Sequence, residues 1–439
     1  MGEQKPSNNF NVTVEIPDIN LNTEQINLFY VFRNPLVKHG SFSALVMPIN
    51  LVKYALIKEN LERNVMLDIN VDIWFADPSK PIEGNKKHQP TKQVIKKTYR
   101  ILACAAIDGS SDPEEQMYMC RIILVNPVLF DMQKSNGFNK ILKSSTSLDG
   151  LADYEEYIKD QYGDTTFEFK KIGCDKEINP YIHEQISCRK ENDLQIPDFF
   201  LNEKKSLNSF SYYFFDDFRI DKEKTADICA MHINLIGIDP FTHIDLQDHD
   251  KNPDGPALKI LSSCPQFDPL SAIMKTGGSV KARIIGRDPQ GRDQINDDPG
   301  PIPTRQMKTS VVGDKFHSTG REVIISESEV EKKDKPVSNV IIMSNPDDVS
   351  TGLERFDIIQ KQFIDTIRAF HTYDIDNCYP DLYQFDRRYN LDVGEEESSK
   401  GPHIPIAIVN IFYKDPEKTN MVKHKVKLQT IKFKTSIST

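Results

Sequence analysis

The residues best spaced for chemistry lie in DHDKNPDG, Asp248 to Gly255. Asp250, Asn252, Asp254 and Gly255 match the opening of a calcium loop, where oxygens at positions one, three and five converge around a tight turn. The closing bidentate carboxylate is absent, because Leu261 holds its place. Two oxygens and much of the charge go with it, and a solvated Asp/Pro turn accounts for the same residues. His243, Asp245 and His249 add donors suited to a transition metal, though at irregular loop spacing. A metal-dependent enzyme with its site in the 243–254 loop is therefore one function class to weigh.

The remaining motifs favour plain readings. Gly277-Gly278-Ser279 precedes Lys281, Arg283 and Arg287, but the strand–loop–helix context of a phosphate cradle is missing, so a turn before a short strand over Val280 to Ile285 is expected. The acid pairs Asp216-Asp217 and Asp347-Asp348 are expected on opposite sides of the chain or in turns, without a two-carboxylate geometry. Nucleophile-elbow and zincin motifs do not occur. The lysines of residues 423–434 fall on one side of a strand, a solvated or edge-guarding face that also suits an acidic partner. The seven cysteines (Cys104, Cys120, Cys174, Cys188, Cys229, Cys264 and Cys378) include no close pair in sequence, as expected of reduced thiols in a cytosol-made protein. Cys104 and Cys120 fall inside strand-like runs, as small apolar groups. The sequence thus assigns no catalytic, cofactor-binding or metal residue and implies no cofactor. It points away from an enzyme.

The elements that would position any site begin with Leu194 to Arg219, LQIPDFFLNEKKSLNSFSYYFFDDFR. Ile196-Pro197 is expected to be extended, since proline disfavours the helical region for the residue before it. Ser206 would cap a helix on which Leu207, Phe210, Phe214 and Phe218 share one side. Tyr212 and Phe215 make the opposite side apolar too, so the segment must be buried on most sides, and a buried strand is the alternative. Alternation at Val12–Ile16 and Leu67–Ile73, with dense apolar runs at 29–32, 99–107 and 117–125, predicts strands. Leu148, Leu151, Tyr154, Tyr157 and Ile158 have helical spacing, and 230–238 reads as a strand. The capping box at Thr351 and Glu354 predicts a helix over 352–371. Two strands follow, 404–412 and 422–433, the second with a β-bulge near Gln429-Thr430.

These elements make an α+β, β-rich chain with two barrel-like β-domains flanking a mixed α/β middle region. The divisions are 1–135, a middle domain over 136–242, a long polar insertion over 243–350, and a helix with the second β-domain over 351–439. The net charge of −10 argues against neutralising phosphates or docking on an anionic membrane. No apolar run has the length to cross a bilayer, and the first residues show neither a secretory signal nor, with Pro6 in place of Ser or Thr, a myristoylation motif.

Ile196-Pro197 followed by Leu207, Phe210, Phe214 and Phe218, with the 353–371 helix running into residues 380–433, resembles the central baseplate hub proteins of contractile-tailed bacteriophages and related injection machines. The resemblance implies a homotrimer whose subunits each contribute two similar β-barrels. The six barrels would meet the tail tube protein, the three-fold side would carry the central spike protein, and other baseplate proteins would surround the hub. It further implies assembly into the virion tail after synthesis in the host cytoplasm. A non-viral multi-domain scaffold is the alternative binding class.

Overall fold

The computed structural model describes residues 10–34, 42–76, 92–109, 117–163, 166–172, 183–203, 211–218, 227–234, 242–246, 259–266, 279–287, 293–296, 301–303, 310–312, 315–317, 338–343, 370–376, 382–391, 401–415 and 422–432. The first lobe comprises β1 (Phe10–Ile16), β2 (Leu21–Thr23), β3 (Leu28–Arg33), β4 (Phe42–Asn50), α1 (Leu51–Glu62), β5 (Asp68–Ala76), β6 (Lys92–Gly109) and β7 (Met117–Val125). In β1 the alternation buries Val12, Val14 and Ile16, and Pro17 ends the strand. Helix α1 starts where the Asn50 side chain accepts from the Lys53 amide at 2.8 Å.

The middle contains α2 (Pro127–Lys134), β8 (Lys140–Ser145), α3 (Ser147–Tyr162), β9 (Phe167–Ile172), β10 (His183–Cys188), β11 (Ser211–Asp216) and β12 (Ile228–Asn234). A capping box between Thr146 and Asp149 opens α3, and Gly163, at φ 87°, ends it. Beyond lie β13 (Thr242–Leu246), β14 (Lys259–Gln266), β15 (Ser279–Arg287), β16 (Asp293–Asn296), β17 (Pro301–Pro303), β18 (Ser310–Val312), β19 (Lys315–His317) and β20 (Ser338–Met343). The chain finishes with β21 (Phe370–Asp376), β22 (Arg387–Leu391), β23 (Gly401–Lys414) and β24 (Val422–Lys432).

Strands from both ends of the chain join one 13-stranded sheet. The order β23-β3-β4-β7-β6-β5-β1-β24 returns on itself because β23 also pairs with β24, giving a closed ring of eight strands. The same two strands continue outward: β22 and β13 follow β23, and β21 and β14 follow β24. The β23–β24 hairpin is thus common to both strand systems. Its residues 408–413 pair with β3, whereas 401–403 pair with β22. Its inward side chains divide likewise: Phe412 and Val422 enter the first core, and Ile408, Val426 and Leu428 enter the last.

A third core lies in the middle, around Leu151, Tyr154 and Ile158 of α3 with Phe199 and Phe200. The sheet β11-β12-β9 separates it from the last core. Phe214, Met231 and Ile233 face the last core, while Phe215, Ile228 and Ala230 face the middle one. Phe218, just past the strand, enters the first core. One short aromatic run therefore supplies all three cores.

Several expectations need correction. Residues 211–216 are a strand, not the C-terminal part of a helix; a strand buried on both faces shows aromatics without helical logic. Residues 204–210 lie outside the described part. Ile196 is helical (φ −62°, ψ −46°), not extended. Burial of Ile196, Phe199, Phe200 and Leu201 outweighs the local steric preference. The 352–371 helix lies outside the described residues up to 369, and Phe370 and His371 belong to β21. The register irregularity expected in β24 sits at the same level but on the opposite strand: Ile406 is the extra residue of β23, facing Gln429 and Thr430. Among the described residues, no helix is long and apolar enough to cross a membrane.

Candidate functional site at the seam of the three cores

The three cores meet at charged groups. Arg33 ends β3 in phase with Phe29 and Val31, so the strand's own period aims it inward. Asp216 ends β11 in phase with Phe214. The two form a two-pronged ion pair: Nε donates to Oδ1 at 2.8 Å, and Nη2 donates to Oδ2. Arg33 is 2% exposed and Asp216 1%. The guanidinium also donates to the Tyr383 carbonyl at 2.9 Å and lies over the Phe385 ring at 5.3 Å. The Phe218 amide donates to the same carboxylate at 3.1 Å. One pair thus ties the first ring (β3), the middle sheet (β11) and the segment leading to β22. Such fork-to-fork pairing adds geometry as well as energy.

Other polar groups are buried on β6 and along the shared hairpin. Lys97 of β6 is buried and donates to the Asp227 carbonyl at 3.3 Å. Burial pulls its amine below the usual lysine range, against the nearby charges of Asp217, Asp227 and Asp216. Burial pushes the Tyr99 phenol well up, and Asp217 adds to this. On the shared hairpin, His424 meets the Asn410 side-chain oxygen at 3.2 Å and stacks on Phe412 at 4.5 Å between ring centres. His403 meets Thr430 at 2.9 Å and Tyr373 at 3.4 Å. Beside Lys97 a cavity of about 580 Å³ opens, lined by both signs of charge, including Glu15, Asp72, Lys96 and Lys97. Chemically the arrangement is that of a joint: its charges are engaged with other parts of the same chain.

The residues singled out by sequence are mostly elsewhere. Asp248 to Gly255, His249, Gly277-Gly278 and Asp347-Asp348 lie outside the described residues. His243 and Asp245 fall on β13, which runs parallel to β22, and Asp245 accepts from Asn390 at 2.8 Å. Leu261 lies on β14, 52% exposed. Lys281, Arg283 and Arg287 lie on β15, the strand expected after the glycines. Among the described residues, no three His, Cys, Asp or Glu side chains cluster as a metal site. Asp216 and Asp217, expected apart or in a turn, are both buried at the seam. Lys423, Lys425 and Lys427 alternate with buried His424, Val426 and Leu428, the one-sided row the sequence predicts. Cys104 and Cys120, distant in sequence, are neighbours on β6 and β7; their mutual hydrogen bond and burial push the Cys104 thiol up.

Sequence reasoning missed Arg33 as a site residue. The available signal was phase: a charged residue in step with the inward side of an apolar strand implies a buried partner.

No protein-family model and no curated protein matches the sequence. Solved structures do match. The fold is similar to that of a tail protein from Neisseria meningitidis MC58, with a TM-score of 0.50 at 8% identity over 97% of each chain. A 43 kDa tail protein of prophage MuSo2 from Shewanella oneidensis gives 0.49 at 8% identity over 96% of each chain. The Francisella PdpA–VgrG complex, in its half-lidded form, gives 0.47 at 10% identity over 98% of this chain and 59% of that one. At such identities the first likeness shows a shared fold.

Proposed function

We propose that this chain is a structural subunit of a phage-type tail baseplate, the hub at its centre. Three copies close into a ring, and the two β-lobes of each act as similar barrel-like units. The six units face the tail tube protein and start its assembly, while the opposite, three-fold side receives the central spike protein. Other baseplate proteins surround it in the virion tail, after synthesis in the host cytoplasm. The four divisions at 135, 242 and 350 belong to the same reading, with the outer two contributing the lobes. The role is mechanical rather than catalytic.

The observation that carries this reading is the shared hairpin. Two strand systems with separate cores are locked through β23 and β24, as suits one chain that offers two related units to successive positions of a ring. The full-length likeness to a tail protein supports it. Light scattering on the purified protein tests it: three chains of 50.3 kDa should elute at about 150 kDa. A single-copy mass that persists with tube and spike proteins present would end the proposal.

A further inference from the structure

We propose that a second copy of this chain covers the outward face of β3, β4 and β23, and does so with the exposed side of its helix α1. This rests on the ring reading above only in requiring several copies.

The eight-stranded ring is not alike all round. Along β1 and β5 the outside is polar, with Thr13, Glu15, Asn70 and Asp72 alternating with buried Val12, Val14, Ile69 and Val71. Across β23, β3 and β4 the outside is aromatic and aliphatic. Ile411 lies beside Tyr30, and Phe32 beside Phe42. Tyr30 and Phe32 stack with ring centres 6.5 Å apart and planes within 3°, and Phe42 sits 5.0 Å from Phe32 while remaining 40% exposed. A sheet face in water normally alternates to polar side chains, and an apolar patch continuous over three strands marks an interaction surface. Its border is basic: Lys425 is opposite Ile411, Lys423 is opposite Tyr413, and exposed Lys414 closes the end.

The complement is on the same chain. Ile57 is the one fully buried residue of α1, whereas Leu51, Val52, Ala55 and Leu56 are exposed, Val52 by 65%. Among the described residues ten large apolar side chains are strongly exposed, and five of them (Leu51, Val52, Leu56, Val65 and Met66) belong to α1 or the stretch just after it. Val52, Ala55, Leu56, Glu59 and Glu62 share one side at helical spacing, so this side is apolar at its start and acidic at its end. A helix apolar both toward its own core and toward solvent calls for cover on each side.

One copy thus offers an aromatic face rimmed by lysines and an apolar helix ending in glutamates. Two unlike patches that match each other make a head-to-tail contact, which closes into a ring when the rotation allows. The rim charges already touch neighbours, Lys423 with Asp415 at 3.1 Å and Glu59 with Arg63 at 2.6 Å, so they orient the contact while the apolar groups hold it.

Sedimentation velocity on two surface variants tests this: Phe42→Asp on the sheet face and Leu56→Lys on the helix. Each should weaken self-association at least about a hundredfold. Mixed together they should form a one-to-one dimer that grows no further, because the intact helix of the first fits the intact face of the second. Tyr30→Ser and Val52→Asp serve as second variants if either of the first loses its folded circular-dichroism spectrum. If the native chain forms trimers and all variants do too, the face assignment is overturned and the ring reading stands. A native chain that stays a single copy, alone and with tube and spike proteins present, overturns both. Weakened variants that fail to pair on mixing would overturn the head-to-tail arrangement.

Discussion

Arg33 and Asp216 tie the lobes together, and their energetics are lopsided. Removing one partner leaves a charge buried without compensation, which costs about 3–5 kcal/mol, whereas replacing both with apolar groups of similar size is often neutral. Asp216→Ala should therefore lower the urea midpoint sharply, and Arg33→Met with Asp216→Leu should restore most of it. A double variant no better than the single would show that the pair contributes more than mutual neutralisation. The inward aim of Arg33 is legible from its phase with Phe29 and Val31, whereas that of Asp216 follows only once residues 211–216 are known to be a strand. Their pairing is not legible, because 183 positions separate them and no local rule spans that distance.

Helix α3 is legible in its apolar spacing, but the demand it places on Gly150 is not. A Cβ there would run into the Phe200 ring, which packs against the helix backbone. Intrinsic propensity favours alanine over glycine inside a helix by roughly 1 kcal/mol, while overpacking a filled core costs about 1–3 kcal/mol. The clash should win, and Gly150→Ala should destabilise. A raised urea midpoint would mean that Phe200 moves aside freely. The strand β11 carries the complementary lesson. Its aromatics are buried, as their density implies, but their spacing mimics a helix, because a strand with a core on each face loses the alternation that identifies strands.

Across the whole molecule, burial ties stability to alkaline pH. The phenols of Tyr99, Tyr154 and Tyr213 are all held well above the ordinary tyrosine value of 10.0, in each case chiefly by burial. Their folded values exceed their unfolded ones, so this stabilisation is fully present below pH 10 and fades above it. There the unfolded chain releases protons that the folded chain keeps, each phenol contributing up to about 1.4 kcal/mol per pH unit. The phenols of Tyr30, Tyr157, Tyr162, Tyr373 and Tyr389 are raised in the same sense, chiefly by burial, while Lys97, shifted down, opposes them. The urea midpoint should therefore fall steeply between about pH 10 and 11; an unchanged midpoint would mean the phenols are reached by water. On the same scale, the aromatic outer face of β3, β4 and β23 and the apolar side of α1 explain why the chain carries apolar surface beyond the needs of its cores.

The sequence by itself determined that the chain is β-rich, that strands lie near both ends, that residues 148–158 have helical spacing, and that the aromatic run is core. Period and burial are local properties written in neighbouring residues. Only the tertiary structure decided that strands from the two ends share one sheet, that a single hairpin serves two cores, and that Arg33 meets Asp216. Those outcomes depend on pairings between distant segments, and edge-to-edge hydrogen bonding is made by backbone groups that every residue but proline carries alike, so the letters leave the choice of neighbour open.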